Sequence, residues 1–130
     1  MPDHVVTRSV VVDAPPEEAW DALVELEEWF ADDVEAEELV ADAEVSFSWD
    51  DGERRDAVIE EVDAPKRLAF RWRDPDGQES HVAFDLDEHE TGTRVTVVES
   101  GLTDRAAARR AATWGPSLVA LSAASRAVLA

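Results

Sequence analysis

The sequence predicts an α+β domain in which the strands form an antiparallel sheet and helices precede and follow most of them. The spacing of apolar residues carries this prediction, because it is helical over residues 16–30, has a period of two from there to residue 100, and is helical again after Thr103. A first strand, residues 4–12, precedes the first helix. Since 130 residues suffice for one good hydrophobic core, we expect a single domain spanning residues 1–130.

The first strand and helix are the clearest elements of the N-terminal part. Strand residues 4–12 alternate, so Arg8 shares a face with Val10 and Val12. Pro15 and Pro16 suit the start of a helix. The apolar residues that follow at helical spacing are Ala19, Trp20, Leu23, Val24, Leu26 and Phe30. Trp29 and Phe30 are predicted to end a second, short helix.

A series of strands occupies the middle of the chain. Residues 34–40 predict a weak strand, and residues 54–63 a strand whose facing the pattern leaves open. Four further strands have regular alternation, and their predicted inward residues are Val45, Phe47, Trp49, Leu68, Phe70, Trp72, Val82, Phe84, Leu86, Val95, Val97 and Glu99. Glu99 is therefore a carboxylate at the end of an apolar face.

The remainder of the chain is predicted to be helical. Thr103 can cap a helix, and Gly115 and Pro116 are expected to interrupt or kink it, since proline removes a backbone donor. The helix that follows presents Trp114, Leu118 and Leu121 on one stripe. Its small residues, such as Ala120 and Ser122, would leave space next to the sheet.

Charge is the unusual bulk property. The chain has 31 Asp and Glu residues against 12 Lys and Arg residues, a net charge of −19. Nucleic acid and anionic membranes are excluded as partners by this balance, because both need a basic surface. Two explanations stay open: adaptation to high salt, and a GC-rich genome that favours Arg, Ala, Asp and Glu codons. Oligomeric state is not predicted.

Several kinds of site have no support in the sequence. There is no cysteine, and the three histidines are too scattered for a metal site, so we expect no metal and no cofactor. Neither a phosphate-binding glycine loop nor a Ser, His and Asp arrangement can be recognised. The N-terminus lacks a signal-peptide pattern and no apolar run reaches bilayer length, which favours a cytoplasmic location.

The inward aromatic residues are the main indication of function. Aromatic side chains on consecutive strands and on helices could fill the space under the last helix, or could line a pocket for a small apolar molecule. The sequence leaves both alternatives open.

Five stretches resemble a known family. They are VVVDAPPEEAWDAL, EEWF, VDAPKRLAFRW, TGTRVTVVESGL and TWGPSLVAL, in the order seen in the START-like (SRPBCC) superfamily. Within it the chain most resembles the branch named for the activator of the Hsp90 ATPase. The resemblance implies a helix-grip fold, in which a curved antiparallel sheet wraps a long C-terminal helix. It also implies a functional range that includes ligand carriers, co-chaperone modules and cyclase-like enzymes.

In the fold that the resemblance implies, the first and last strands are antiparallel neighbours. Pairing Val12 with Val95 then places Arg8 opposite Glu99, which predicts a cross-strand ion pair at a cavity mouth. Three interpretations remain: Glu99 emerges into water, the pair orients the polar end of a ligand, or the register differs.

We therefore predict a non-enzymatic binding domain for a small, mainly apolar ligand held between the sheet and the C-terminal helix. Trp29 and Phe30 would form a lid over the site. The predicted ligand-binding residues are Arg8, Trp20, Trp29, Phe30, Phe47, Trp49, Phe70, Trp72, Phe84, Val97, Glu99, Trp114, Leu118 and Leu121. The alternatives are a protein-interaction module that uses surface residues such as Arg71 and Arg73, and a cyclase-type or hydrolase-type enzyme.

Overall fold

Seven strands form one curved antiparallel sheet, and a long C-terminal helix packs against its inner face. The computed structural model describes residues 4–73 and 77–129. The elements are β1 (His4–Val12), α1 (Pro16–Val24), α2 (Leu26–Trp29), β2 (Asp33–Glu35), β3 (Glu44–Ser48), β4 (Arg54–Asp63), β5 (Arg67–Arg73), β6 (Glu79–His89), β7 (Gly92–Leu102) and α3 (Asp104–Leu129). The predicted α+β helix-grip fold is confirmed.

The strand order in the sheet is β1-β7-β6-β5-β4-β3-β2, and every neighbouring pair is antiparallel. The first and last strands are therefore neighbours, as the resemblance implies. β1 and β2 are the edge strands of the sheet, and α3 packs chiefly along β1. This arrangement brings one face of α3 over the inward residues of the central strands.

The register of β1 on β7 differs from the prediction by two residues. Arg8 lies opposite Val97, and Glu99 lies opposite Val6, so the predicted pairing of Arg8 with Glu99 is wrong. Thr93 supplies the physical reason, because its buried hydroxyl donates a 2.7 Å hydrogen bond to the carbonyl of Ala14 and fixes the start of β7 just beyond the end of β1.

The two short helices bring apolar side chains to the open end of the sheet. Pro16 begins α1 with Glu17 in the first turn, where a carboxylate is favoured by the helix dipole. The four-residue α2 ends at Trp29, and the N–H of Phe30 donates to the carbonyl of Leu26 at 3.0 Å. The predicted short second helix is confirmed.

The weak strand predicted at residues 34–40 is largely wrong. β2 contains only Asp33–Glu35, which pair with β3, and the chain then leaves the sheet. Val34 and Leu39 are the two residues of this segment that pack against the core. Most of the others are acidic and exposed, and acidic residues are poor strand formers.

A single helix, α3, runs through Pro116, so the predicted interruption at residues 115 and 116 is wrong. A proline inside a helix costs about 3 kcal/mol. Burial of Trp114 before it and of Leu118 and Leu121 after it outweighs this cost, since all three side chains are 2% exposed or less. The predicted cap is confirmed, because Thr103 Oγ1 accepts from the N–H of Ala106 at 3.2 Å.

The core lies between the sheet and α3. Its largest fully buried side chains come from the central strands and from α3, among them Trp72, Trp114, Phe47, Phe70 and Phe84. The predicted inward facing of the aromatic strand residues is therefore confirmed. In the part of the chain that the structure describes, no helix is long and apolar enough to cross a membrane.

Candidate functional site

The carboxylate of Glu99, on β7, lies on the inner face of the sheet and has no exposed surface. Four side chains donate hydrogen bonds to it. The hydroxyl of Ser80 and the indole N–H of Trp72 donate to Oε2 at 2.6 and 2.9 Å. The Nε of Arg110 and the indole N–H of Trp114 donate to Oε1, both at 2.9 Å. The carboxylate thus joins three strands to α3.

The local structure explains why these donors converge. Trp72 and Ser80 are direct cross-strand partners on β5 and β6, and β7, which carries Glu99, pairs with β6 on its other side. Arg110 and Trp114 are four residues apart on α3, so both side chains project from one face of that helix. The position of each donor therefore follows from the regular geometry of its own element. The four donors come from three elements, β5, β6 and α3.

Burial and hydrogen bonding act in opposite directions on the pKa of Glu99. Burial by itself would raise this pKa, because it disfavours the charged form. The positive charge of Arg110 and the hydrogen bonds from Ser80, Trp72 and Arg110 outweigh burial and hold the pKa below its usual value. Glu99 is consequently ionised at neutral pH, and it forms a buried ion pair with Arg110.

The guanidinium of Arg110 lies over two indole rings. Its guanidinium carbon lies 5.1 Å from the ring centroid of Trp72 and 4.9 Å from that of Trp114. Only 11% of the side chain is exposed. A second guanidinium, that of Arg55 on β4, lies 4.5 Å from the centroid of Trp72, and its side chain is 7% exposed. Each pairing has the geometry of a cation–π interaction.

Phe30 occupies the middle of the aromatic cluster. Its ring stacks on Trp114 at 5.5 Å and on Trp72 at 5.7 Å, and meets Phe47 and Trp49 edge to face at 5.2 and 5.6 Å. The indole N–H of the half-buried Trp49 donates to the carbonyl of Phe30 at 2.9 Å. The ring thus fills the space that an open pocket would need.

Most of the predicted site residues do come together. Beside Phe30 the cluster contains Trp29, Phe47, Trp49, Phe70, Trp72, Phe84 and Trp114, all in ring contact with at least one other member. Val97, Glu99, Leu118 and Leu121 are buried beside it. Trp20 is buried in the same core but has no part in the ring contacts of the described residues.

Arg8 is separate from this site. Its side chain is exposed on the edge strand, and its Nη1 donates to the carbonyl of Thr7 at 2.8 Å. Trp29 and Phe30 do not form an outer lid, because they are 7% and 8% exposed and Phe30 lies inside the cluster.

Three polar residues of the site were not among the predicted residues. Ser80 is in phase with the inward residues of β6, and Arg55 alternates with the buried Ala57 and Ile59, so alternation could have indicated that both face inward. Arg110 lies in RAAARR, which reads as a solvated helix face. Its spacing of four from Trp114 was the available signal.

Known structures share this fold over nearly the whole chain. Protein MLL2253 from Mesorhizobium loti is 25% identical, with a TM-score of 0.83, and the alignment covers 93% of this chain and 96% of that one. DynU16, from the dynemicin biosynthetic locus, is 28% identical with a TM-score of 0.83, and this chain covers 46% of its length. The Aha1 dimer from Colwellia psychrerythraea is 20% identical, with a TM-score of 0.78 and coverage of 92% and 93%.

No curated protein sequence matches the chain. The sequence model of one family, described as Activator of Hsp90 ATPase homolog 1-like protein, matches residues 13–125. That range includes α1, every strand from β2 to β7 and most of α3, and so it contains Glu99, its four donors and the aromatic cluster. The chain therefore belongs to the Activator of Hsp90 ATPase homolog 1-like family.

Proposed function

We propose that this protein binds a small, mainly apolar, ring-bearing ligand between the sheet and α3, and that the ligand takes the place of the Phe30 side chain. The observation that carries the proposal is the position of Phe30. Its ring contacts the rings of five other aromatic residues, Trp29, Phe47, Trp49, Trp72 and Trp114. A flat apolar ligand would find the same contacts in that space.

The attachment of Phe30 supports its exchange for a ligand. The strand aromatics are held by sheet hydrogen bonds on both sides, whereas Phe30 follows a helix of four residues and precedes a strand of three. Short elements with few backbone hydrogen bonds open locally at a lower free-energy cost than central strands. Movement of this segment would therefore open a pocket while Glu99 keeps α3 attached to the sheet.

Native mass spectrometry tests this proposal directly. Protein isolated from the cells that naturally make it is compared in native and denaturing conditions, and we expect an additional mass that is lost on denaturation. In parallel, toluene is added to the variants F30A and F30W. Toluene should raise the melting temperature of F30A, in which the ring space is vacant, and should leave F30W unchanged because a larger ring occupies that space.

Two controls make these results interpretable. Trp20→Phe changes a buried aromatic residue outside the ring cluster, so it should leave the toluene response unchanged. Phe30→Leu is a milder substitution if F30A does not fold, since Phe→Ala in a core costs about 3–5 kcal/mol. A native mass equal to the sequence mass, together with equal toluene responses in the F30A or F30L variant and in F30W, would overturn the proposal.

A protein-interaction role is the second candidate, and the outer face of the sheet favours it. A groove of about 480 Å³ lies there, lined in part by Arg71, Arg73, Asp56 and Glu79. Arg71 is half-buried, and its side chain has no hydrogen bond or ion pair with the described residues. A polypeptide retained in the native spectrum, and lost from an Arg71→Ala variant, would favour this candidate.

The enzymatic alternative finds no support in the buried carboxylate. A general acid working near neutral pH needs a raised pKa, whereas that of Glu99 is lowered. Both of its oxygens already accept two hydrogen bonds each.

A further inference from the structure

We infer that the ligand of this site carries a carboxylate and that Arg110 receives it. This inference rests on the proposed function and specifies the chemical class of its ligand: a ring with an acid group a short distance away.

Glu99 uses only one of the nitrogens of Arg110. The Nε of Arg110 donates to Oε1 of Glu99 at 2.9 Å. The two terminal nitrogens of Arg110 donate to no atom of the residues that the structure describes. A guanidinium has five N–H donors in a planar fork, so four remain on the terminal nitrogens. That pair of nitrogens matches the two oxygens of a carboxylate in a bidentate arrangement.

The guanidinium is already fixed in orientation before any ligand binds. The hydrogen bond to Glu99 and the contacts with the rings of Trp72 and Trp114 hold its plane. An arginine that is preorganised in this way loses less side-chain entropy on binding than an arginine free in solvent. The side chain is not completely enclosed, since 11% of it stays exposed.

Arg110 and Phe30 share two neighbours. Both lie within 6 Å of the same two indole rings, Trp72 and Trp114. A ligand whose ring takes the position of Phe30 and whose acid group extends along these indole rings would meet Arg110. Because the benzyl group of Phe30 is the size of the ring space, phenylacetate is a suitable probe.

The electrostatic surroundings also permit an anion here. Arg55 brings a second positive charge to the Trp72 ring, although the carboxylate of Glu53 lies 3.5 Å from its Nη2. The chain as a whole has a net charge of −19, which repels anions. At 0.15 M salt the Debye length is about 8 Å, so distant carboxylates contribute little. The local charge is set by Arg110 and Arg55 together with their partners Glu99 and Glu53, which balance them.

The test compares phenylacetate with phenylacetamide, which has nearly the same shape and no charge, at 150 mM salt. Binding to the wild type and to F30A is followed through the indole N–H signals of Trp72 and Trp114 in ¹H–¹⁵N NMR spectra, so that binding elsewhere is not counted. We expect phenylacetate to bind about 10- to 100-fold more tightly, the range for a charge-assisted, bidentate contact.

Arg110→Lys is the key variant, because it keeps a positive charge beside Glu99 and removes the planar fork. It should lower the preference for the acid to a few-fold or less. Arg109→Lys makes the same chemical change at the adjacent, exposed position of α3 and should keep the preference. The comparison of the two probes on the wild-type protein stands even if R110K does not fold.

The possible outcomes separate this inference from the function on which it rests. Equal binding of the two probes, or a preference that survives in R110K, would overturn the inference and leave ring binding intact. If neither probe shifts the indole signals of the wild type or of F30A, ring binding and the assignment of Arg110 both fail.

Discussion

At the scale of single residues, Glu99 shows how a charge can be accommodated in an aromatic core. A buried carboxylate without partners is prohibitively costly, but each oxygen of Glu99 accepts two hydrogen bonds. Two of these bonds satisfy the buried indole N–H groups of Trp72 and Trp114, and that of Trp72 also donates to the hydroxyl of Ser80 at 3.1 Å. Glu99 is thus a structural tie between the sheet and α3 that also positions Arg110.

The alternation of β7 predicts the inward facing of Glu99, but it cannot predict the partners. Those partners lie 11, 15, 19 and 27 residues away in the chain, on α3, β6 and β5. The alanines around Arg110 give α3 no clear polar and apolar sides there, so its inward position leaves no periodic signal. A pattern along one element does not encode contacts between elements.

The pKa of Glu99 leads to a prediction about acid stability. In Glu99→Gln an amide nitrogen, which is a hydrogen-bond donor, replaces an oxygen that accepts from two donors, and the ion pair with Arg110 is lost. The variant should therefore be less stable than the wild type by about 3–5 kcal/mol at pH 7. The folded-state pKa lies below the usual value, so the advantage of the wild type is fully present above the unfolded pKa of about 4.3. The part of this advantage that comes from the lowered pKa should be lost as the pH falls from there through the folded-state pKa.

Urea unfolding of the wild type and E99Q at pH 7, 5, 4 and 3 measures this difference. The other carboxylates titrate in both proteins, so they cancel in the comparison. Glu90→Gln, at an exposed position, serves as the matched control and should show little difference at any pH. A stability difference between the wild type and E99Q that stays constant down to pH 3 would contradict the ionised, hydrogen-bonded carboxylate.

At the scale of elements, the strand pairing shows what alternation leaves undetermined. A slip of two residues keeps every side chain on its own face, so the predicted and observed registers of β1 on β7 have equal support from the pattern. The choice between them depends on contacts at the strand ends, such as the hydrogen bond from Thr93 to Ala14. The proline in α3 is a similar case, because packing on both sides of Pro116 overrides its local cost.

Gly92, the first residue of β7, offers a test of how closely this strand approaches the end of β1. Its φ is positive, +155°, and a Cβ at this position would clash with the carbonyl oxygen of Val12, which is backbone and cannot rotate away. We expect Gly92→Ala to lower the free energy of unfolding by more than 2 kcal/mol, the range in which large steric and strain effects lie. Thermal and urea unfolding both measure this loss.

Gly52→Ala provides the matched control for the backbone contribution. Gly52 also has a positive φ, +92°, but nothing lies within 4 Å of a Cβ built there. Its substitution should therefore cost only about 1 kcal/mol, from the unfavourable backbone conformation. Equal losses in G92A and G52A would show that the close approach to β1 does not contribute.

At the scale of the whole molecule, composition and element order were sufficient to predict the fold class, but not how the interior is filled. Alternation identifies the inward aromatic residues. Whether their side chains fill the space between the sheet and α3 depends on the curvature of the sheet, which alternation does not give. Phe30 illustrates this, since the sequence places it at a helix end and only the assembled structure shows its ring stacked beside both Trp72 and Trp114.

The distribution of charge along the chain is the other property of the whole molecule. Residues 9–53 include 17 Asp and Glu residues and no Lys or Arg. This acidic segment therefore carries a charge of −17 out of the total of −19. It includes α1, α2, β2, β3 and the connections between them. Most of these carboxylates are exposed.

This segregation predicts a salt-dependent stability. At 0.01 M salt the Debye length is about 30 Å, so the acidic residues of this segment repel one another across the fold, whereas at 0.15 M it is about 8 Å. Raising NaCl from 10 to 150 mM should therefore increase the melting temperature by about 3–6 °C, which corresponds to roughly 1 kcal/mol for a domain of this size. The double variant E37K/E38K should be more stable in low salt and should respond less to NaCl.

The matched control is E88K/E90K, which makes the same change of charge on exposed residues near the end of β6, outside the acidic segment. Because both double variants alter the net charge equally, a difference in their salt response isolates the effect of the acidic segment from that of net charge. If both variants lose the salt response to the same extent, net charge alone is responsible. A wild-type melting temperature that does not change between 10 and 150 mM NaCl would contradict repulsion within the folded state altogether, since the unfolded chain separates the same charges more widely.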